Sequence, residues 1–351
     1  MERRMGGRIK STFIVLLLLI GAFIVIAPSS VLAAQEGDYT YNVYDGRATI
    51  TGYTGPGGAI TIPTTLGGYP VFAIVGGGPF YSSALTSIDV PSNITLIGDH
   101  AFYGLFNLTA INVNPGNPNY ASIDGLLYDK ALTTLIQCPG GKTGVVTIPD
   151  NVTYIGDLAL AYCTHLTSVS IPNSVASIGN NAFFYCASLA SVSMGVNVTS
   201  IGESGFAYCY NLSTVGIGIS VTSIGYAAFS WCTSLTNVTI PNSVTSIGNI
   251  AFAGCTNLTT IIFSGPVKPT VGENWIQWTP AGIRGHALAA SNFPAPGGVF
   301  NGLTMGEVIP SQTVNPNNDN SSSNNTMLIM LAVFAIVLAL IAIILSMRKN
   351  K

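Results

Sequence analysis

Charge is what this 351-residue chain has least of: 7% of its residues are Asp, Glu, Lys or Arg, against about 25% in an average soluble protein. The formal net charge of −2 hides how those few are placed. Seven of the twelve basic residues lie at the ends (Arg3, Arg4, Arg8, Lys10, Arg348, Lys349 and Lys351). Between Gln35 and Thr326 five bases face thirteen acids, a net of −8, and no Lys or Arg occurs between Lys142 and Lys268. Such a stretch cannot neutralise a run of phosphates, which excludes nucleic acid as a partner. The deficit also excludes a charged disordered protein and fits poorly with an ordinary cytosolic enzyme.

Motifs for chemistry are missing as well. There is no Cys-x-x-Cys or His-Glu-x-x-His, and His100, His165 and His286 are far apart, so no metal site is expected. Gly202-Glu203-Ser204-Gly205 has Phe206 where a nucleophile elbow needs its last glycine. Gly76-Gly77-Gly78 has no phosphate-loop continuation and reads as a turn. A glycosidase needs two carboxyls facing one substrate. The regular repeats described below hold only Asp150, Asp157 and Glu203, and Asp99, Asp124 and Asp129 read as solvated loop residues. No catalytic residue and no cofactor is expected.

What is present begins with two apolar runs. Residues 1–34 combine a basic start, an apolar stretch from Phe13 to Ala27 and a small-residue exit ending Val31-Leu32-Ala33-Ala34. This is the layout of a secretory signal peptide cleaved after Ala33 or Ala34, the alternative being an uncleaved N-terminal anchor. Residues 327–347 carry no charge and, at about 1.5 Å per residue, would reach roughly 30 Å as a helix, the thickness of a bilayer core. The basic tail 348–351 follows, and positive flanks stay cytoplasmic. The expectation is one C-terminal transmembrane helix at the cell membrane, with the rest of the chain extracellular. The Asn/Ser-rich residues 311–326 read as a flexible stalk.

The middle repeats. Ile-Gly pairs fall at Ile155, Ile178, Ile201, Ile224 and Ile247, each 23 residues after the last. Cys163, Cys186, Cys209, Cys232 and Cys255 keep the same beat, as do Leu166, Leu189, Leu212, Leu235 and Leu258. In one unit, Leu166-x-x-Val169-x-Ile171 predicts a short strand with Ser and Thr on its other face, ended by Pro172. A second short β segment follows at Val175 to Ile178, the glycine turns the chain, and Ala182-Phe183-x-Tyr185-Cys186 has the spacing of one helical turn. No unit has enough apolar surface to fold alone, so the units must stack and share one continuous core. The predicted fold is a solenoid, mainly parallel β with short helical turns, over 74–263. An insert at about 114–145 suggests a surface loop or hairpin. A β cap is expected at 35–73 and a C-terminal cap at 264–310, where Trp275, Trp278 and Phe293 are expected to seal the end.

This unit, Leu-x-x-Ile-x-Ile-Pro through Val-x-x-Ile-Gly-x-x-Ala-Phe-x-x-Cys-x-x-Leu, resembles the BspA-like leucine-rich repeat, and Asn117 to Asp129 resembles that family's Asn-Pro-x-Tyr-x-Ser-Ile-Asp-Gly-x-Leu-Tyr-Asp element. The likeness covers roughly Ile60 to Phe263. It implies a leucine-rich-repeat solenoid of a surface protein that binds or adheres, with no catalytic residues to carry over.

Two surface rows are candidates for ligand binding. Tyr162, Tyr185, Tyr208 and Trp231 stand one residue before successive cysteines, with Gly254 next in the column. Stacked, they form an aromatic stripe suited to sugar rings or apolar protein patches, or one that covers the core edge and stacks on itself. The other row is the polar strand face, Ser168, Ser170, Ser191, Ser193, Thr214, Asn237 and Thr239, the side that lines the binding surface in the family it resembles. The cysteines read as a column of buried thiols, with Cys138 outside it. Sequons occur at Asn93, Asn107, Asn151, Asn197, Asn211, Asn237 and Asn257, explained equally by glycosylation and by repetition. The expected function is a membrane-anchored recognition or adhesion protein binding surface proteins or glycans of other cells or matrix. A self-associating cell-envelope component and a glycan-directed hydrolase are the alternatives.

Overall fold

Each repeat makes two strands, and stacking turns them into two ladders. The computed structural model describes residues 32–81, 84–289 and 291–309. Residues 32–74 give β1 (Leu32–Glu36), β2 (Tyr39–Tyr44), β3 (Arg47–Tyr53), β4 (Gly58–Thr61), β5 (Thr65–Leu66) and β6 (Tyr69–Ile74). The first coils add β7 (Leu85–Val90), β8 (Leu96–Ile97) and β9 (Ala110–Val113), and the insert adds β10 (Tyr120–Ile123), β11 (Leu126–Asp129) and β12 (Thr134–Gln137). In the regular coils a longer strand alternates with a two-residue one. They are β13 (Gly144–Thr147), β14 (Tyr154–Ile155), β15 (Leu166–Ser170), β16 (Ser177–Ile178), β17 (Ser191–Ser193) and β18 (Ser200–Ile201). The series continues with β19 (Thr214–Val215), β20 (Ser223–Ile224), β21 (Asn237–Ile240), β22 (Ser246–Ile247) and β23 (Thr260–Phe263). The chain closes with β24 (Thr270–Val271), β25 (Arg284–Ala287), β26 (Val299–Phe300) and β27 (Leu303–Met305).

The short strands form an unbroken parallel ladder, β12-β14-β16-β18-β20-β22-β24, with Ile155, Ile178, Ile201, Ile224 and Ile247 in register. The longer strands form three parallel groups, β4-β7-β9, β13-β15-β17-β19, and β21-β23-β25-β27 with β26 folded back on β27. The meander β1-β2-β3 precedes them and joins the stack where β3 pairs with β6 in parallel. Beyond Phe263, where the sequence beat stops, both ladders run on: β24 pairs with β22, and β25 pairs with β23 at Thr260↔Arg284.

Each coil points the Leu, Val, Ile, Phe and Cys of its repeat positions inward, and in the regular coils Leu166, Val169, Ile178, Phe183, Cys186 and their counterparts are buried. Burying one Leu or Phe stabilises by about 1.5–3 kcal/mol, but only when the next coil supplies the other side. Phe183, Phe206, Phe229 and Phe252 stack at 4.6, 5.3 and 5.3 Å with near-parallel rings, and Trp275 ends that column edge-on to Phe252 at 6.3 Å.

The core is not the single continuous one expected. The insert is a hairpin built into the stack, and β11 divides the interior: Leu127 packs with the core spanning Tyr41 to Ile111, while Leu126 and Tyr128 pack with the core spanning Leu135 to Met305. The hairpin turns at Asp124-Gly125, with φ of 52° and 78°, the paired left-handed conformation that Asp-Gly favours. Its entry is held by Asn117, fully buried, which donates to the carbonyls of Pro91 and Ile94 (3.0 and 2.8 Å) and accepts from the N–H groups of Asn119 and Tyr120 (both 2.9 Å).

The predicted helical turns are not helices; among the described residues no helix occurs. At Asn181 and Tyr185 φ is 54° and 58°, and the pattern recurs at Ser204 and Tyr208 and at Ala227 and Trp231. A left-handed residue every fourth position breaks the i→i−4 pattern. The N–H groups instead reach the next coil: Asn181, Phe183 and Tyr185 donate to the carbonyls of Glu203, Gly205 and Ala207. The glycine of Ile-Gly does not serve by a left-handed φ either. A Cβ on Gly202 would lie 2.6 Å from the Gly179 backbone, and one on Gly225 would lie 2.7 Å from that of Gly202, so this corner is where coils touch backbone to backbone.

Of the predicted signal peptide, residues 1–31 lie outside the described residues, while Leu32–Ala34 begin β1 and pair with Tyr41–Val43. The predicted stalk, transmembrane helix and tail also lie outside them. Among the described residues no helix is long and apolar enough to cross a membrane.

Candidate functional site

The aromatic row assembles into a belt. Ring centroids lie 5.5 Å apart for Tyr162–Tyr185, 6.4 Å for Tyr185–Tyr208 and 6.4 Å for Tyr208–Trp231, the last pair within 4° of parallel. These separations fall in the range where aromatic pairs attract. Gly254 does not end the belt: Trp231 meets Trp278 at 6.0 Å. Trp278, expected to seal the end of the stack, is instead 60% exposed; Trp275 and Phe293 do the sealing, both packed on Phe300. At the other end Tyr103 and Phe106 pack edge-on against Tyr162, at 5.4 and 6.2 Å. Tyr210 packs edge-on against Tyr185 and Tyr208.

The backbone explains the position of these side chains but not their identity. Each coil has two left-handed positions. The first carries Leu158, Asn181, Ser204, Ala227 and Ile250, a random assortment, whereas the second carries Tyr162, Tyr185, Tyr208 and Trp231. A left-handed non-glycine residue costs roughly 1–2 kcal/mol. Glycine would remove that cost and stands there in Gly104 and Gly254. Four consecutive coils nevertheless hold a large ring. The rings pack on one another, and Tyr185 and Trp278 remain 37% and 60% exposed. Burial, then a hydrogen bond with Tyr103, pushes the Tyr162 hydroxyl up to about 12, so this group is uncharged at neutral pH.

The polar strand face is shorter than its sequence suggests. Ser168, Ser191 and Thr214 stand in register on β15, β17 and β19, as do Ser170 and Ser193, whose hydroxyls lie 3.3 Å apart. Asn237 and Thr239 lie on β21, in a separate sheet, with the Asn237 amide turned to the Thr236 hydroxyl at 3.2 Å. All but the half-buried Ser168 are exposed.

The thiols are all buried and unpaired. Cys186, Cys209, Cys232 and Cys255 donate to carbonyls of the preceding coil at 3.1–3.2 Å. Cys138, unplaced by the sequence, heads this column: its carbonyl lies 3.8 Å from the Cys163 sulfur. Of the seven sequon asparagines all but the half-buried Asn93 are exposed. The amides of Asn93, Asn151 and Asn197 donate to carbonyls of the neighbouring coil, and that of Asn237 to the Thr236 hydroxyl. Trp278 and Tyr103 were missed as belt residues because each sits one residue off the repeat position, and Phe106 and Tyr210 because each sits two residues after it.

The family comparison matches the BspA type leucine rich repeat region in six copies, over residues 73–131, 142–259 and 206–274, more than half of the chain. Among solved structures, a leucine-rich repeat protein from Eubacterium ventriosum is similar at 23% identity and TM-score 0.54, covering 63% of this chain and 64% of that one. One from Bacteroides ovatus is similar at 22% identity and TM-score 0.51, covering 79% and 76%. A leucine rich cell surface protein from Faecalibacterium prausnitzii shares 25% identity at TM-score 0.47, covering 67% and 95%. At 22–23% identity the first two likenesses concern the fold alone. No curated protein matches. Repeats matched over this length, and stacked through the same Leu, Ile and Phe positions, place the chain in the BspA type leucine-rich repeat family.

Proposed function

We propose that this protein is an extracellular, membrane-anchored recognition or adhesion module that grips a partner's surface along its aromatic belt. The observation that carries this reading is a left-handed position kept aromatic in four consecutive coils although glycine would fit it better. A row of partly exposed rings that pack on one another, three of them carrying phenol hydroxyls, suits an apolar protein patch rimmed by hydrogen-bonding groups. The hydroxyl row on β15, β17 and β19 adds weak uncharged contacts, and many copies on one membrane would multiply a modest affinity. The two apolar runs support the anchoring and the outward orientation.

The test is a screen of residues 32–309 against cell-surface proteins and glycans, repeated with a Tyr185→Ala/Tyr208→Ala double variant and with Tyr226→Ala as a control. Tyr226 is 48% exposed and makes no ring contact with the belt. The reading expects a protein ligand whose binding weakens at least tenfold in the double variant and is unchanged in the control. Binding that ignores the belt, a glycan ligand, or self-association alone would count against it.

A further inference from the structure

The hairpin leaves an opening in the long-strand ladder. β9 and β13 belong to successive coils, yet they do not pair. The hairpin tip stands in the way: the Ile111 N–H donates to the Gly125 carbonyl at 2.9 Å, and a Cβ on Gly125 would lie 2.9 Å from the Ala110 Cα. The Val113 N–H donates to the Ser122 hydroxyl at 2.9 Å. Two N–H groups of the β9 edge are thereby paired.

The β13 edge is not paired. In a parallel ladder, alternate residues turn their N–H and C=O to opposite sides. Gly144 and Ile148 donate to His165 and Ser170, which turns Val146 toward β15 and leaves the N–H and C=O of Val145 and Thr147 facing away. Among the described residues these groups have no partner, and Val145 is 65% exposed. Beside them is a cavity of about 200 Å³ lined by Ile123, Asp124, Leu126, Tyr128, Lys142 and the three residues Val145–Thr147. Tyr128 is 1% exposed, and among the described residues its hydroxyl has no hydrogen-bond partner. Lys142 donates to the Asp124 carbonyl at 2.6 Å, tying the hairpin tip to the opposite wall.

We infer that this opening receives an extended segment of another polypeptide, which adds to the β13 edge as a strand. Two N–H and two C=O groups presented at strand spacing match a peptide backbone, and no sugar or small anion offers that alternation. The apolar floor of Leu126, Val146 and Ile123 takes one inward side chain of Val or Thr size. The hydroxyl of Tyr128, a lining residue, would then gain a hydrogen bond from the bound segment. Acid and base are balanced at the rim by Asp124 and Lys142, so the favoured segment is uncharged and rich in β-branched residues. This site is independent of the aromatic belt.

The experiment uses the full chain in detergent and a phage-displayed library of random octapeptides as the probe. Enriched peptides should be uncharged strand formers, and on binding the amides of Val145 and Thr147 should exchange hydrogen at least tenfold more slowly. Val145→Pro removes an N–H that makes no ladder hydrogen bond and fixes φ there, and it should weaken binding at least tenfold. Tyr128→Phe should weaken it several-fold, and Tyr208→Ala should leave it unchanged. Should Val145→Pro fail to fold, exchange in the unaltered chain decides. No enrichment, amides of Val145 and Thr147 already protected in the free protein, or peptides indifferent to both substitutions would overturn the assignment.

Discussion

Trp231 lies directly over Gly254: a Cβ on that glycine would come within 2.7 Å of the indole ring. The missing side chain lets the indole lean across an empty place and reach Trp278. Gly254→Ala should therefore displace Trp231 and add left-handed strain at φ 73°, for a loss of about 1–2 kcal/mol. Near-UV circular dichroism should show the coupled indole signal diminished together with a lower Tm. An unchanged signal would mean that the two indoles are not coupled across Gly254.

The stacked Ile-Gly corners predict a sharp contrast between two glycines of one coil. Gly202→Ala puts a methyl group 2.6 Å from the Gly179 backbone, which cannot move without parting two coils. A loss of about 2–4 kcal/mol in urea unfolding is expected, as for overpacking at a site unable to relax. Gly216→Ala meets nothing within 4 Å and should be neutral or slightly stabilising through the unfolded chain. Equal effects at the two positions would refute the close-approach account.

The solenoid was legible because Leu166, Ile178 and Cys186 each recur on one period, and a period is a statement about stacking that no single unit carries. The hairpin was legible as extra length at Asn114–Lys130, but its role as a partition was not. That depends on Leu127 facing one core while Leu126 and Tyr128 face the other, a matter of strand register. The turn was misread as helical because Ala182, Phe183 and Cys186 have helical spacing, whereas the left-handed φ at Asn181 and Tyr185 is stabilised by hydrogen bonds to the next coil. Tertiary pairing overrode local spacing there. The aromatic column was visible at four of its positions, and Trp278 was hidden because the coil before it is one residue longer.

Repeats that carry Ser where others carry Asn leave a defect that can be filled. The hydroxyls of Ser174 and Ser243 are buried without a partner. At the same place in another coil the Asn197 amide donates to the Asn173 carbonyl at 2.8 Å. Ser243→Asn should reach the Ile219 carbonyl in the same way, adding about 1 kcal/mol and raising Tm by about 2–4 °C. Asn197→Ser should cost a similar amount. A lower Tm for Ser243→Asn would show that the site has no room for the longer side chain.

Alkaline pH should unfold this protein in two overlapping stages, because burial raises both thiols and phenols. Burial pushes Cys186 and Cys232 well above the ordinary thiol value of 9.0 and Cys255 up to about 12; Cys163 is raised first by its hydrogen bond with Cys138 and then by burial. Tyr39, Tyr154 and Tyr162 are pushed up to about 12, chiefly by burial. In each case the folded state binds the proton more tightly than the unfolded one, so the stabilisation is complete below the unfolded value and is lost as pH rises toward the folded one. Stability should be flat through neutral pH, fall first from about pH 9 as unfolded thiols ionise, and fall further from about pH 10 as unfolded phenols do. Urea midpoints measured from pH 7 to pH 11 would trace this curve. At pH 8 none of the six thiols should react with Ellman's reagent until urea is added, when all six should react together. Rapid reaction of any of them in the folded protein would mean that the cysteine column opens to solvent, and the alkaline loss would then have to come from the phenols alone.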